Sequence, residues 1–203
     1  QSSLPPVVLC QGDTIFVEAF TSTVLNSIYN WSSTADVGFG TSGTGNIPNA
    51  PLINNDSVPL IATITVYATS PFGCIGPSAT FSITVNPKPI LLSVDDTICS
   101  GQVFNNTLIP NFYNNIKYAW NSSVNPLIIT GNSNQSASSN AVINDSLINH
   151  TTSIQSLPYS VSLIYTNGTH SCITTDTLNV TVKPAPPKPN FTSSVFPGNP
   201  VIT

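Results

Sequence analysis

The chain repeats itself. Cys10, Trp31 and Asn55-Asp56-Ser57 recur as Cys99, Trp120 and Asn144-Asp145-Ser146, each 89 residues later. Cys74 recurs as Cys172, 98 residues later, which places about nine extra residues between Ser146 and Cys172 in the second copy. Each copy closes on a proline-punctuated strand, Val85-Asn86-Pro87-Lys88-Pro89 and Val182-Lys183-Pro184-Ala185-Pro186. A tandem duplication means that each copy must bury its own core. Modules in series serve reach and attachment more often than chemistry. The expected division is residues 1–89, residues 90–187, and residues 188–203 as a linker with the first strand of a following module.

Strand signals dominate. In Ala79-Thr80-Phe81-Ser82-Ile83-Thr84-Val85 apolar residues alternate with hydroxyls at period two, so Ala79, Phe81, Ile83 and Val85 face a core. Leu178, Val180 and Val182 are the same face of the second copy. Thr14 to Phe20 reads as a strand with Ile15, Val17 and Ala19 on one side. Tyr29 and Trp31 alternate, as do Ile116, Tyr118 and Trp120, and Tyr159, Val161, Leu163 and Tyr165. Turn residues separate the runs at Gly38–Gly45, Pro71-Phe72-Gly73, Asn132–Asn140 and Asn167-Gly168. Short strands at this spacing, with one Trp in mid-repeat, predict an all-β chain of two tandem immunoglobulin-like sandwiches, with Trp31 and Trp120 at their centres. The intervening prolines favour extended polyproline II, so the linkers read as semi-rigid spacers holding the modules end to end.

Composition removes several function classes. Only 6% of residues are charged, with no Arg and four Lys, and the net charge is −4. Nucleic acid needs clustered cations, as do anionic membranes, and neither is an expected partner. No apolar run approaches a membrane span. With Gln1 at its start, no signal segment and Thr203 in mid-strand, the chain reads as a stretch of a longer polypeptide. Ser, Thr and Asn fill about a third of the sequence, so the surface carries hydroxyls and amides rather than ions.

Two cysteines per copy without C-x-x-C spacing argue against zinc. Repetition favours one disulfide within each copy, Cys10–Cys74 and Cys99–Cys172, among three possible connectivities, with buried free thiols as the alternative. The gap of 21 residues from Cys10 to Trp31 is long for an antibody domain, so the disulfide is expected at a sheet edge or end. Disulfides imply an oxidising, extracytoplasmic setting.

Catalytic chemistry is hard to place. His150 and His170 occur in the second copy alone and read as loop residues, His150 within the insertion. Carboxylates are seven Asp and Glu18. Asp95-Asp96 is the one adjacent pair, and it reads as a turn before a strand rather than as a weak calcium site. No catalytic residue, cofactor or metal is expected. Five Asp residues open Asp-Ser/Thr-aliphatic triplets, at Asp13, Asp56, Asp96, Asp145 and Asp176. As structure, such a triplet is a turn followed by a strand start.

Thr97-Ile98-Cys99-Ser100-Gly101, then Tyr118-Ala119-Trp120, a Cys after a hairpin and a closing Val-x-Pro-x-Pro resemble the PKD-like, immunoglobulin-like repeats of Bacteroidetes surface proteins, including the SprB-type adhesins of gliding bacteria. Leu9-Cys10-Gln11-Gly12, Trp31, Gly73-Cys74 and Val85-Asn86-Pro87-Lys88-Pro89 match in the first copy, and Asn190-Phe191-Thr192 to Pro197-Gly198 is similar to the opening of a PKD domain. The resemblance implies β-sandwich modules exported by the type IX system for adhesion or gliding, with no catalytic residues. In that phylum the Asp-Ser/Thr triplet is similar to an O-glycosylation sequence, which would place glycans on Thr14, Ser57, Thr97, Ser146 and Thr177.

The expected function is that of non-catalytic modules in an adhesive stalk, whose partners are neighbouring repeats and, beyond them, surface glycans or other surface proteins. The alternative is a carbohydrate-binding accessory module of a secreted polysaccharide-degrading enzyme. That role needs exposed aromatics on which sugars stack, and Tyr29, Phe104, Tyr113 and Tyr118 are the candidates.

Overall fold

A computed structural model of the chain describes residues 6–190. The described residues form strands and loops without a helix. The first module comprises β1 (Val7–Cys10), β2 (Thr14–Ile15), β3 (Ile28–Ser33), β4 (Ser42–Thr44), β5 (Ala50–Pro51), β6 (Leu60–Thr69) and β7 (Ala79–Asn86). Its main sheet has the order β1-β7-β6-β3-β4, and β2 with β5 forms a two-stranded sheet. The second module comprises β8 (Asp96–Cys99), β9 (Val103–Thr107), β10 (Ile116–Asn121), β11 (Ile129–Thr130), β12 (Gln135–Ser138), β13 (Val142–Ser146), β14 (Ile148–Asn149), β15 (Gln155–Asn167) and β16 (His170–Lys183). Its main sheet is β12-β10-β15-β16-β8, with β9–β13 and β11–β14 as two-stranded pieces. In each module the first strand runs parallel to the last, β1 with β7 and β8 with β16. These are two tandem immunoglobulin-like domains with separate cores.

The alternation read from sequence places the cores. Phe81, Ile83 and Val85 are buried on β7, and Leu178, Val180 and Val182 on β16. Trp31 pairs across with Val66, as Trp120 does with Val161, and both indoles are buried. Behind Trp31 the neighbouring strand carries Gly43, where a Cβ would meet the indole ring.

Three sequence expectations need correction. Thr14–Phe20 is a strand only at Thr14–Ile15. Its partner segment Pro48-Asn49-Ala50-Pro51 has two prolines, which cannot donate ladder bonds. The counterpart β9 pairs over five residues with the proline-free β13.

The extra residues of the second copy are also divided differently. Gly12 donates to the Leu52 carbonyl as Gly101 does to that of Leu147, so these leucines correspond at an offset of 95, against 89 at the two Trp. Six extra residues therefore precede Leu147, and three more lengthen the β15–β16 hairpin before Cys172. Asn144-Asp145-Ser146 is not the counterpart of Asn55-Asp56-Ser57. His150 takes the position of Asn55 rather than lying in an insertion.

Third, the segment after Asn86 is a packed joint rather than a spacer. Pro87 and Pro89 are buried. Ile90 to Leu92 then joins the second module through Leu92 N–H to the Ile109 carbonyl (2.7 Å), Asn111 N–H to the Ile90 carbonyl (3.0 Å) and Ile90 N–H to Asn111 Oδ1 (2.8 Å). Residues 191–203, which include most of the expected strand of a following module, lie outside the described residues.

Candidate functional site

The arrangement that composition and periodicity did not foresee is the joint between the modules. Cys10 and Cys172 form a disulfide across it, with Cα atoms 5.6 Å apart, while Cys74 and Cys99 are free and exposed. The expected pairs Cys10–Cys74 and Cys99–Cys172 are thereby overturned. Cys10 lies opposite Asn86, at the end of β7, whereas Cys74 lies in the loop before that strand begins. The eight residues of β7 separate the two positions by about 25 Å. Cys99 pairs with Lys183 at the end of β16, and Cys172 lies near its start, about 35 Å away along the strand. A disulfide needs Cα atoms within about 7 Å. Within one module the two cysteines sit at opposite poles. Between modules, the β15–β16 hairpin of the second reaches the end of β1 in the first.

Local chemistry explains why Cys10 is held there. Its N–H donates to Asp13 Oδ2 (2.9 Å) while its carbonyl accepts from Asp13 N–H (3.0 Å). Gln11 N–H is held by the Asn86 carbonyl (2.9 Å). The turn recurs around Cys99, with Gln102 in place of Asp13 and Lys183 in place of Asn86. Beside the disulfide, Asn167 at the hairpin tip donates to Oδ1 of buried Asn86 (2.9 Å). Cys10 itself packs against the core of the second module. The joint thus combines a covalent link, a side-chain hydrogen bond and two buried prolines.

Two buried asparagines escaped the sequence reading. Asn54 Nδ2 donates to the carbonyls of Val58 (2.8 Å) and Val85 (2.7 Å), and its Oδ1 accepts from Asp56 N–H (2.9 Å). Asn149 does the same with Ser153 (2.8 Å), Val182 (2.9 Å) and Thr151 (2.8 Å). Each ties a crossing loop to the last strand. The tripeptide Leu-Ile-Asn, at Leu52-Ile53-Asn54 and Leu147-Ile148-Asn149, was the signal that could have found them.

The five glycosylation candidates Thr14, Ser57, Thr97, Ser146 and Thr177 are all exposed. Their preceding carboxylates differ. Asp96 and Asp176 accept from the N–H of the following Thr, each at 2.7 Å, whereas Asp145 is buried beneath Tyr159. Asp95 accepts from Asn179 N–H (2.8 Å), bridging the module's first and last strands. Asp36 accepts from the backbone N–H groups of Gly38 and Gly40, which hold its carboxyl below the usual range. His150 lies on the surface beside Thr130 Oγ1 (2.8 Å), and His170 is exposed at the hairpin turn. Among the described residues no three His, Cys, Asp or Glu side chains gather as a metal site would require. Of the four aromatics weighed for sugar stacking, Phe104 and Tyr118 are core and Tyr29 is half-buried against Phe20. Tyr113 alone stands exposed. No helix among the described residues is long and apolar enough to cross a membrane.

Residues 96–186 match the PKD-like domain family. No curated protein matches the sequence significantly. Among solved structures, the I-band fragment I67–I69 of titin is similar over 89% of this chain and 63% of its own, at 13% identity and a TM-score of 0.42. Chicken VE-cadherin EC1-2 is similar over 89% of this chain and 98% of its own, at 10% identity and 0.33. A SusE-like surface-located polysaccharide-binding protein from the Bacteroides thetaiotaomicron heparin utilisation locus is similar over 88% of this chain and 33% of its own, at 10% identity and 0.33. The chain thus spans less than two thirds of the titin fragment and a third of the SusE-like protein. The family match falls on the second module, and the first module shares that module's sheet order, so both have the immunoglobulin-like fold.

Proposed function

We propose that the chain is a pair of non-catalytic structural modules from a long exported bacterial surface protein, acting as a semi-rigid stalk in adhesion or gliding. The observation that carries this reading is the locked joint. Independent binding modules on a tether need freedom, whereas these two are tied by Cys10–Cys172, by Asn167–Asn86 and by buried Pro87 and Pro89. A stalk transmits load and keeps its tip at a distance, which requires fixed angles between successive modules. Many weak contacts along such a chain add as avidity. The disulfide fits an oxidising compartment outside the cytoplasm, reached in this reading through type IX export. The hydroxyl- and amide-rich surface, with Thr14, Ser57, Thr97, Ser146 and Thr177 exposed, suits a glycan coat. Small-angle scattering of the oxidised chain tests the stalk. An elongated particle with two resolved lobes is expected. A compact particle, with the modules folded side by side, would overturn it.

A further inference from the structure

The two free cysteines are counterparts of the two bonded ones. Cys99 occupies the position of Cys10, in the same backbone-bonded turn at the end of the first strand. Cys74 occupies the position of Cys172: Ser70 N–H is held by the Cys74 carbonyl at the base of the β6–β7 hairpin, where Tyr165 pairs with Cys172 at the base of β15–β16. The bond inside this chain therefore runs from the first-strand cysteine of one module to the hairpin cysteine of the module that follows it.

The surfaces around the free cysteines are those that the joint covers elsewhere. Pro89 is buried, whereas its counterpart Pro186 is exposed. Pro184 is only partly covered, where Pro87 is buried. At the opposite pole, Phe72 and Ile75 flank Cys74 with 92% and 70% of their surface exposed. The two poles of the chain are thus the two halves of the joint at its middle, each without its complement. They differ from that joint in two respects. Lys183 replaces Asn86, and the β6–β7 hairpin is three residues shorter, so the Asn167–Asn86 hydrogen bond has no counterpart.

We infer that Cys99 and Cys74 are half-sites for the same module-to-module disulfide. Cys99 would bond the hairpin cysteine of a following repeat of this kind, and Cys74 the first-strand cysteine of a preceding one. A fibre so built carries one covalent staple at each joint. The inference deepens the stalk reading and rests on it. The chemistry is thiol–disulfide exchange with a small-molecule disulfide as oxidant. The Cys99 thiolate attacks the oxidant, forming a mixed disulfide and releasing one thiol. The Cys74 thiolate of the other repeat then attacks the Cys99 sulfur and releases the second thiol. Two protein thiols are oxidised and one disulfide is reduced to two thiols.

A second copy of this chain can supply the neighbouring repeat. Concentrated full-length chain, with Cys10–Cys172 intact, is incubated in an oxidised/reduced glutathione buffer and read by non-reducing electrophoresis and peptide-mapping mass spectrometry. A ladder of multimers joined through Cys99–Cys74 peptides is expected, with heterotypic links in large excess over Cys74–Cys74 and Cys99–Cys99. C74S and C99S should each abolish the ladder, and mixing the two variants should restore a single dimer. Random pairing among the three possible links, or glutathione adducts alone, would overturn the inference. Scattering of the doubly substituted C74S/C99S monomer reports the stalk shape separately, so the two readings can fail independently. Both serines fall at exposed positions, and circular dichroism confirms that the variants fold.

Discussion

The hydroxyl of Tyr159 donates to the carboxylate of Asp145 inside the second module, where both side chains are buried. Asp145 Oδ2 also accepts from Ser133 N–H at 2.8 Å, so the pair anchors the loop after β11 to the centre of β15. Tyr159→Phe keeps the ring against Phe104, at a centroid distance of 5.8 Å, and removes only the donor. A buried carboxylate that loses a partner costs about 1–3 kcal/mol. Urea unfolding of the variant, followed by Trp120 fluorescence, should show that loss in the second module alone.

The same pair predicts an alkaline weakness. Burial, then the hydrogen bond to Asp145 and its charge, raise the Tyr159 pKa well above the ordinary 10.0. A proton held more tightly in the folded state means stability that is fully present below pH 10 and falls as pH rises above it. The unfolded chain there releases a proton that the folded chain keeps. The slope for one such group is about 1.4 kcal/mol per pH unit. Tyr118 and Tyr165, also raised by burial, steepen the fall. The tyrosinate absorbance contributed by the buried tyrosines should rise together with unfolding, and Tyr159→Phe should make the stability profile shallower.

Asn54 and Asn149 make a matched prediction. Each amide satisfies two carbonyls and one N–H that water cannot reach easily. Alanine at either position should cost its own module about 2–3 kcal/mol. Aspartate should cost more, because a carboxylate cannot donate and would face two carbonyl oxygens. Each module contains one tryptophan, so replacing the other by Phe lets fluorescence report one unfolding transition at a time. Equal losses in both modules from one substitution would show that the asparagine acts across the joint instead.

The sequence made the cores legible because period-two alternation acts over a few residues. Phe81, Ile83 and Val85, and Tyr159, Val161, Leu163 and Tyr165, are buried for the reason their pattern stated. Pairing between distant segments was not legible. Asn55-Asp56-Ser57 lies in a loop and Asn144-Asp145-Ser146 ends β13, so they share composition but not position, and the true register is fixed by the backbone hydrogen bonds of Leu52 and Leu147. The disulfide pairing was not legible from repetition either. Identical bonds in both copies satisfy repetition, but so does a bond displaced by one module, and only the placement of Cys10 and Cys74 at opposite poles decides between them.

Gly43 gives a prediction of the opposite kind, where adding atoms is the injury. It pairs with Trp31 on the neighbouring strand, and a Cβ there would run into the indole ring. The Trp31 ring is also fixed edge-on against Phe39 at 5.7 Å, so it cannot tilt away without losing that contact. Gly43→Val should cost the first module about 1–3 kcal/mol through overpacking. The pair Gly43→Val with Trp31→Phe should recover part of the loss, and a double-mutant cycle with no coupling would show that the clash is relieved elsewhere.

Reduction of Cys10–Cys172 should loosen the joint without melting either module. The disulfide closes 162 residues of chain, but those residues form two cores that share little beyond the joint. Each core keeps its own Trp, its own buried asparagine and its own complete ladder when the bond is broken. What remains at the joint is the Asn167–Asn86 hydrogen bond, the packing of Pro87 and Pro89, and the pairing of Leu92 with Ile109. Hydrogen exchange compares the oxidised chain with Cys172→Ser, both carrying serine at Cys74 and Cys99. Amides at residues 86–92 and 166–172 should exchange about tenfold faster or more, because local opening no longer has to strain a covalent link. Amides of β6, β10 and the centre of β15 should be unchanged. Scattering from the variant should fit only a spread of inter-module angles. If exchange rose through the whole second module instead, the disulfide would be holding up a core rather than fixing an angle.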